Sequence, residues 1–442
     1  MKKNLATKIH ITTLGCDKNT IDSQLMAGLL KQGQRELVDD PEAAQVIIVN
    51  TCCFIQEAKE ESIDYILEYV KLKEVGLCHT LIVAGCMAQR YHQELAAEIP
   101  EIDGFLGVGH FDKIIKIIDE KTTKEAYFEN IEHDYAADII RELPQNSHTA
   151  YLRISEGCDH GCTYCAIPAI RGKYRSRSLE AIRAELRHLE KSGIKEVILI
   201  GQDIAPYGQD LDEQMSLPKL LATIAEGFNF KWIRMLYLYP EGVSKEILAV
   251  MKEHPAICHY FDIPLQHTRT EVLKRMGRKM TTEKIETVVK LIKNTLPDAL
   301  LRTTLITGFP GETDEEHQAL LEDVERFEFD HLGVFKYSCE EGTPAADFLN
   351  QIDDNVKEER YHQIMSAQQA VSRKTKKRFV GQKLDVLIEE VENETCYGRF
   401  YGFAPEIDGQ VIIESPTISL TAGKMIPVYI VDSLEYDLIG EV

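Results

Sequence analysis

The chain reads SEGCDHGCTYC over residues 155–165, and this stretch decides how the rest of the sequence is interpreted. Cys158, Cys162 and Cys165 lie within eight residues on a segment that also contains two glycines. Thiolates at this density are soft ligands, which favour zinc, copper(I) or an iron–sulfur cluster. A structural zinc site needs four ligands, so a Cys3His site that includes His160 is one alternative. A cubane cluster on the three cysteines would leave one iron free to bind a small molecule.

The sequence around this motif alternates between apolar runs and helical patterns. A predicted strand at residues 150–154 leads into the motif. Five more strands are predicted at residues 196–200, 232–236, 260–263, 303–306 and 332–335, with helices among them at residues 179–191, 282–293 and 314–327. About six βα units predict an open or partial parallel barrel, which a helix at residues 356–378 closes.

The first 140 residues show the same alternation. Strands are predicted at residues 9–14, 46–49 and 81–84, with helices at residues 23–31, 56–73 and 89–98. This order predicts an α/β domain on a parallel sheet. Cys16, Cys52 and Cys86 each follow one of the strands, and ligands bind at the carboxyl ends of strands in such sheets. These thiols therefore either converge on one ligand or are three unrelated buried cysteines.

The region from Phe379 onward consists of short β-like runs broken by Gly and Pro, which predicts a small all-β barrel. It contains three basic residues against twelve acidic ones, so it is a poor candidate for RNA binding. The basic run at residues 373–378 is predicted to be either a solvated helix end or a contact with ribosomal RNA. We place the three domains at residues 1–140, 141–376 and 377–442.

The composition is that of a globular protein, with 44% hydrophobic and 28% charged residues among 442. The net charge of −22 disfavours general nucleic-acid binding and favours a basic partner. No apolar run approaches the roughly 20 residues of a membrane helix, and residues 1–8 lack the apolar core of a signal peptide. We therefore expect a cytoplasmic protein, in which clustered thiols are metal ligands or catalytic groups rather than disulfides.

Several features together resemble the radical-SAM methylthiotransferases, which use S-adenosylmethionine (SAM) and iron–sulfur clusters. The Cys158 motif matches the Cys-x3-Cys-x2-Cys signature of the superfamily, and residues 167–177 (IPAIRGKYRSR) match the stretch that follows it. Residues 14–16 (LGC), 50–52 (NTC) and 84–86 (AGC) resemble the family's amino-terminal domain. The carboxy-terminal region resembles its TRAM barrel. The resemblance implies an amino-terminal α/β domain, a central partial (βα)6 radical-SAM barrel and a TRAM barrel.

By this resemblance the chain holds two 4Fe-4S clusters, one that binds SAM on Cys158, Cys162 and Cys165, and an auxiliary one on Cys16, Cys52 and Cys86. The remaining cysteines are then ordinary thiols: Cys53, Cys78, Cys258, Cys339 and Cys396. Tyr164 is a candidate to pack on the adenine of SAM, with a core aromatic as the alternative. Gln202 is a candidate to face the SAM ribose, with a loop-stabilising amide as the alternative. The turn at residues 308–312 either approaches the cofactor or only begins a helix.

Six segments resemble the branch of the family that modifies an aspartate in ribosomal small-subunit protein twelve. They are residues 15–19 (GCDKN), 54–62 (FIQEAKEES), 236–240 (LYLYP), 262–267 (DIPLQH), 335–344 (FKYSCEEGTP) and 404–409 (APEIDG). Departures from the family's commonest residues occur at Gln24, Cys53 and residues 204–206. None of them removes a proposed ligand.

The resemblance implies that a radical from SAM removes hydrogen from the aspartate β-carbon, that sulfur from the auxiliary cluster joins this carbon, and that a second SAM methylates the sulfur. An unactivated C–H bond has no useful acidity, so we expect no general acid or base. The expected partners are the basic ribosomal protein, free or on its subunit, and an electron donor. A tRNA adenosine methylthiotransferase is the close alternative, which the acidic carboxy-terminal region disfavours. A non-enzymatic dicluster electron carrier is the alternative from another class.

Overall fold

The structure is a computed structural model that describes residues 7–120, 125–128, 141–212, 214–416 and 418–442. The predicted end of the first domain at residue 140 lies outside these residues, as does most of the segment considered as a signal peptide. Within the described part, no helix is both long enough and apolar enough to cross a membrane.

The amino-terminal domain is a six-stranded parallel sheet flanked by helices. Its strands are β1 (Lys8–Thr13), β2 (Glu36–Leu37), β3 (Val46–Thr51), β4 (Thr80–Gly85), β5 (Gly104–Leu106) and β6 (Glu125–Tyr127), in the spatial order β2-β1-β3-β4-β5-β6. Its helices are α1 (Asp17–Gln32), α2 (Gln56–Glu74), α3 (Cys86–Glu98) and α4 (Ile114–Glu120). Every residue of β3 is buried, as in a central parallel strand that is covered on both faces. The predicted parallel α/β domain is confirmed.

The central domain contains a partial barrel of six parallel strands and a separate antiparallel pair of two-residue strands. Its strands are β7 (Thr149–Arg153), β8 (Ser155–Glu156), β9 (Arg175–Ser176), β10 (Glu196–Ile200), β11 (Trp232–Met235), β12 (Tyr260–Gln266), β13 (Leu300–Thr307) and β14 (His331–Lys336). Its helices are α5 (Ile167–Arg171), α6 (Leu179–Lys191), α7 (Leu217–Gly227), α8 (Lys245–Glu253), α9 (Thr270–Arg275), α10 (Thr282–Thr295), α11 (Asp314–Phe327) and α12 (Asp354–Lys376). The barrel strands form two sheets, β7-β10-β11 and β12-β13-β14, and a parallel bridge between Ile233 and Ile257 links them. The predicted partial (βα)6 barrel is confirmed.

The carboxy-terminal domain is a closed five-stranded barrel, as predicted. Its strands are β15 (Lys383–Glu392), β16 (Thr395–Phe400), β17 (Val411–Glu414), β18 (Met425–Ser433) and β19 (Leu438–Glu441), in the order β15-β16-β17-β19-β18. Closure of the barrel leaves no open strand edge.

This small barrel contacts the amino-terminal ends of the partial-barrel strands. Glu196, the first residue of β10, is fully buried, and its carboxylate lies 2.7 Å from both Arg234 Nε and Arg399 Nη2. At the start of β12, the hydroxyl of Tyr260 donates to Asp408 Oδ2 at 2.7 Å. The small barrel therefore closes one end of the partial barrel, and the carboxyl ends of the strands form the opposite mouth.

Arg373 and Lys374 in the basic run at residues 373–378 are exposed, as expected of a solvated helix end, but the run also makes buried contacts. Lys376 is 1% exposed and donates to the carbonyl oxygen of Asp330 at 3.0 Å. Burial lowers the pKa of Lys376 to about 8. Arg378 lies 2.9 Å from the Asp330 carboxylate. The run therefore ties α12 to the partial barrel.

Candidate functional site

The first cysteine triad lies on three neighbouring loops at the carboxyl ends of β1, β3 and β4. Cys16 directly precedes α1, Cys52 follows β3, and Cys86 begins α3. The side-chain amide of Asn19 donates to the carbonyl oxygens of Leu14 at 2.8 Å and Thr51 at 3.0 Å. Because this amide spans two loops, it holds the backbones before Cys16 and Cys52 together.

The third loop is joined to the second in the same way, since Thr51 Oγ1 donates to the Ala84 carbonyl oxygen at 2.6 Å. Gly15 has a φ of +89°, and a Cβ at this position would lie 2.6 Å from Cys52 Cβ. A side chain at Gly15 would therefore both strain the backbone and displace Cys52. The structure thus brings the three predicted thiols to one site.

Cys52 and Cys86 are buried, which favours their protonated thiols when no ligand is bound, whereas Cys16 is exposed. Burial raises the pKa of Cys52, and the neighbouring Cys16 thiol raises it further. Burial also raises the pKa of Cys86 well above its usual value, while the Arg171 guanidinium opposes that rise. Binding of a soft metal centre would displace the protons and offset the cost of burying thiolates.

The five cysteines predicted to be ordinary thiols occupy varied environments. Cys78, Cys258 and Cys396 are buried, whereas Cys339 is exposed. Cys53 is fully buried, and burial raises its pKa to about 12. The Cys53 thiol also contributes to the raised pKa of Cys86, so it lies close to the first triad.

The second triad lies on the loop after β8, at the mouth of the partial barrel. Cys158 N donates to Gly172 O at 3.2 Å, and Cys165 N donates to Cys162 O at 3.2 Å. The loop is also held from the side, where Thr163 N donates to Met276 O at 3.0 Å. Burial raises the pKa of Cys158 to about 11 and that of Cys165 to about 12.

His160 is engaged away from the second triad. Its Nε2 lies 2.7 Å from Asp203 Oδ2, and its ring stacks on Tyr239 at 4.1 Å between centroids. Among the described residues, no three His, Cys, Asp or Glu side chains are arranged to hold a single metal ion. In a 4Fe-4S cluster each cysteine binds a different iron, so single-ion geometry is not expected there. These contacts favour a cluster over a Cys3His zinc site.

A cavity of about 500 Å³ opens beside Cys158 at the carboxyl ends of β7, β10 and β11. Four carboxylate side chains line it: Asp159, Asp203, Asp210 and Glu241. Lys279 and His160 also line it. This lining suits cationic groups and repels phosphates.

The side-chain amide of Gln202 makes a hydrogen bond through its nitrogen but not through its oxygen, among the described residues. Its Nε2 donates to Glu156 Oε1 at 2.7 Å. Its Oε1 is buried and has no hydrogen-bond partner among the described residues. A buried acceptor without a partner is costly, so a ligand hydroxyl would satisfy it.

Tyr164 belongs to an aromatic cluster with Phe309, whose ring centroid lies 6.4 Å away in an edge-to-face arrangement. The Tyr164 hydroxyl accepts from Arg278 Nη1 at 3.3 Å. Glu312 accepts from the backbone N–H groups of Gly308 and Phe309, which closes the turn at residues 308–312 on itself. These contacts favour the core aromatic and the helix-start turn that the sequence left as alternatives.

A buried ion network that sequence reasoning missed connects the two triads. Arg153 Nη1 lies 2.7 Å from Asp22 and 2.8 Å from Glu156, and Arg171 Nη1 lies 3.1 Å from Glu156. Arg171 Nη2 reaches Asp22 at 3.4 Å and Cys86 Sγ at 3.6 Å. The position of Arg171 in the segment after the Cys158 motif was the available signal, but nothing in the sequence indicated its partners.

Lys18 is a second missed feature, next to the first triad. Its side chain is almost completely buried, 3.0 Å from Asp17 and 3.1 Å from the ring centroid of Tyr237. Tyr237 follows β11 at the mouth of the partial barrel and has a φ of +61°, which is uncommon for a non-glycine residue. Its backbone N–H donates to Asp262 Oδ2 at 2.9 Å, which holds this conformation. Lys18 therefore lies between the Cys16 loop and the mouth.

Three family models match successive parts of the chain. The Radical SAM superfamily matches residues 152–324, the Uncharacterized protein family UPF0004 matches residues 8–107, and the TRAM domain matches residues 380–442. The order of these matches is the order of the three folded parts.

Curated relatives cover nearly the whole chain. Proteins named "Ribosomal protein uS12 methylthiotransferase RimO" are 45% identical in Clostridioides difficile and 46% identical in Clostridium botulinum, each over 98% of both chains. The Geobacter sulfurreducens protein of the same name is 43% identical over 99% of both chains.

Solved structures share the fold at low sequence identity. The radical S-adenosylmethionine methyltransferase TsrM from Kitasatospora setae, with cobalamin and a [4Fe-4S] cluster bound, has a TM-score of 0.54 at 14% identity over 77% of each chain. The same enzyme with tryptophan and a SAM analogue has a TM-score of 0.58 at 14% identity, over 83% of this chain and 89% of that one.

Proposed function

The chain belongs to the RimO family of radical-SAM methylthiotransferases, and we propose that it transfers a methylthio group to an aspartate side chain of ribosomal protein uS12. Relatives at 43–46% identity over 98–99% of the chain carry that name, so the tRNA enzyme and the electron carrier are not favoured. The structural observation that supports the proposal most directly is the position of Arg171 between the two triads. It belongs to the segment that follows one cysteine triad, and it contacts Cys86 of the other.

The two triads fit the clusters that this chemistry needs. Each offers three soft thiols, and at the buried thiols a metal centre would be a favourable replacement for the proton. Cys158, Cys162 and Cys165 would hold the cluster that binds SAM, and Cys16, Cys52 and Cys86 would hold the auxiliary cluster. When bound, the clusters and SAM supply the one-electron chemistry and the sulfur that acid–base side chains lack.

The protein's own contribution is to hold the two triads at a fixed separation. Asp22 on α1 and Arg153 on β7 join the amino-terminal domain to the partial barrel through a pair at 2.7 Å. Glu156 extends this contact to Gln202, whose free Oε1 would accept a hydrogen bond from SAM. Misplacement of reacting groups by about 1 Å can cost roughly a hundredfold in rate, so rigid joining matters here.

The charges at the mouth suit the proposed substrate. The carboxylates that line the cavity beside Cys158 favour the cationic groups of SAM or of a basic protein, and they oppose an RNA backbone. Lys18 lies between the Cys16 loop and Tyr237, where its ammonium group pairs with Asp17, and in this proposal the carboxylate of the target aspartate takes the place of Asp17 in that pair. We also propose that the domain boundaries lie at residues 140/141 and 376/377.

The test uses reconstituted enzyme with SAM and a reductant, offered purified uS12 or total tRNA. We expect uS12 to gain the mass of one methylthio group in place of one hydrogen at an aspartate. Product on tRNA alone would refute the substrate.

Replacing all three cysteines of either triad by alanine tests the assignment of the ligands. Loss of Cys158, Cys162 and Cys165 should abolish 5′-deoxyadenosine formation. Loss of Cys16, Cys52 and Cys86 should keep 5′-deoxyadenosine and abolish methylthiolation. A chain that keeps all of its iron after either change would contradict the assignment.

A further inference from the structure

Each cysteine triad has one buried arginine next to a sulfur atom. Arg171 Nη2 lies 3.6 Å from Cys86 Sγ in the first triad. Arg278 Nη1 lies 3.9 Å from Cys162 Sγ in the second triad. Both side chains are nearly inaccessible, at 1% and 6% exposure, so water screens their charges weakly.

Arg171 is fixed by polar and charged partners. Its Nη1 contacts both carboxylate oxygens of Glu156, at 3.1 and 3.2 Å, and its Nη2 donates to Asn19 Oδ1 at 2.8 Å. Asp22 lies 3.4 Å from Nη2. The carboxylates partly offset the positive charge that Arg171 presents to Cys86.

Arg278 is fixed by neutral partners instead. Its Nη2 donates to the carbonyl oxygen of Pro264 at 2.6 Å, and its guanidinium lies 4.4 Å from the ring centroid of Tyr239. Its Nη1 also donates to the hydroxyl of Tyr164. The charge that Arg278 presents to Cys162 is therefore less offset than that of Arg171.

We infer that Arg171 and Arg278 are separate charge-compensating residues, each of which raises the reduction potential of the cluster on its own triad. The inference rests on the proposed function, because it takes both triads as cluster ligands. Reduction adds one negative charge to a cluster, and hydrogen bonds and cations near its sulfur atoms favour the reduced form. The partners of Arg171 and those of Arg278 named above have no residue in common, so each arginine acts on its own cluster.

The experiment measures the potential of one cluster at a time in the full chain. One background replaces Cys158, Cys162 and Cys165 by alanine, and the other replaces Cys16, Cys52 and Cys86. Each carries either Arg171→Met or Arg278→Met, and redox titration is followed by electron paramagnetic resonance. The background that keeps only the first triad is the control for Arg278→Met, and the background that keeps only the second triad is the control for Arg171→Met.

We expect Arg171→Met to lower the reduced-to-oxidised ratio of the auxiliary cluster about tenfold at a fixed potential, which equals about 59 mV for one electron. Arg278→Met should lower the reduced-to-oxidised ratio of the SAM-binding cluster by more than tenfold, because no carboxylate among its named partners offsets the positive charge of Arg278. Each arginine should leave the other cluster unchanged, and Arg→Lys should restore most of the shift. Glu156→Gln should move the auxiliary cluster the opposite way, since it leaves Arg171 in place and removes a neighbouring negative charge.

Glu156→Gln also tests the inference if Arg171→Met fails to fold. Unchanged potentials in the methionine variants, equal shifts of both clusters by one arginine, or a shift of the wrong sign in Glu156→Gln would overturn it. A background with its remaining triad intact that carries no cluster would instead refute the ligand assignment, and with it the proposed function.

Discussion

The change Asp22→Asn should uncouple SAM cleavage from methylthiolation. Asp22 sits on α1 of the amino-terminal domain, and its carboxylate contacts two arginines of the partial barrel, Arg153 at 2.7 Å and Arg171 at 3.4 Å. Asparagine keeps the shape of the side chain and removes its charge. The variant therefore tests the electrostatic part of the contact between the two domains.

The magnitude follows from the burial of the network. Two arginines and two carboxylates balance in charge, and each side chain is at most 2% exposed. Neutralising Asp22 removes one of the two carboxylate charges that these arginines contact, and removing one partner of a buried pair costs about 3–5 kcal/mol. The lower figure corresponds to roughly 150-fold in the equilibrium between joined and separated domains.

The assay is the amount of methylthiolated uS12 formed per 5′-deoxyadenosine, measured beside iron content and the midpoint of urea unfolding. We expect this ratio to fall by about tenfold or more while 5′-deoxyadenosine persists, because water entry recovers part of the full electrostatic cost. Asp119→Asn is the matched control, since Asp119 pairs with Arg35 at the surface and such pairs contribute about 0–1 kcal/mol. A normal ratio together with a normal unfolding midpoint for Asp22→Asn would refute the reasoning.

Three further changes test other parts of the structure. Gly15→Ala should lower iron content by about half, measured by iron analysis, because the added Cβ displaces a cysteine ligand of the auxiliary cluster. Lys18→Met should weaken binding of uS12 roughly tenfold or more, but should change little for uS12 with asparagine at the target position, as measured by titration. Glu196→Gln should expose the segment before the carboxy-terminal barrel to protease, since it removes the carboxylate that Arg234 and Arg399 share across the interface. Burial raises the pKa of Glu196, but the two neighbouring arginines hold it below its ordinary value, so this interface should weaken as pH falls below about 4.3.

The parts of the fold that carry strong apolar runs could be predicted from sequence. The strand predicted at residues 46–49 is the core of β3, and the three cysteine loops follow from the position of each strand end. β2, β5 and β6 were missed because they contain only two or three residues, too few for a period to show. α1 begins at Asp17, earlier than predicted, because the polar residues of its first turns are buried at the interface and do not follow an apolar pattern.

The site was predictable at its cysteines and not at the residues between them. Thiols at fixed spacing are recognisable without a structure, because few other arrangements explain them. Arg153, Glu156 and Arg171 look like surface residues in the sequence, since charged side chains are seldom fully buried. Only the fold shows that they face one another and that Cys86 lies next to them. The acidity of the carboxy-terminal barrel was also predicted from the sequence, but its position was not. The structure places this barrel at the end of the partial barrel opposite the mouth.

The contact between the two barrels has a consequence for folding during synthesis. Arg234 Nη1 donates to the Tyr401 carbonyl oxygen at 2.8 Å, and Glu196 is completed by Arg399. The ribosome makes the partial barrel first, together with both sets of cysteines, and these partners emerge later. Until they arrive, Glu196 and Arg234 pair with each other, and water takes the places of Arg399 and the Tyr401 carbonyl oxygen. The amino-terminal ends of the partial-barrel strands are therefore exposed to water until the small barrel has folded against them.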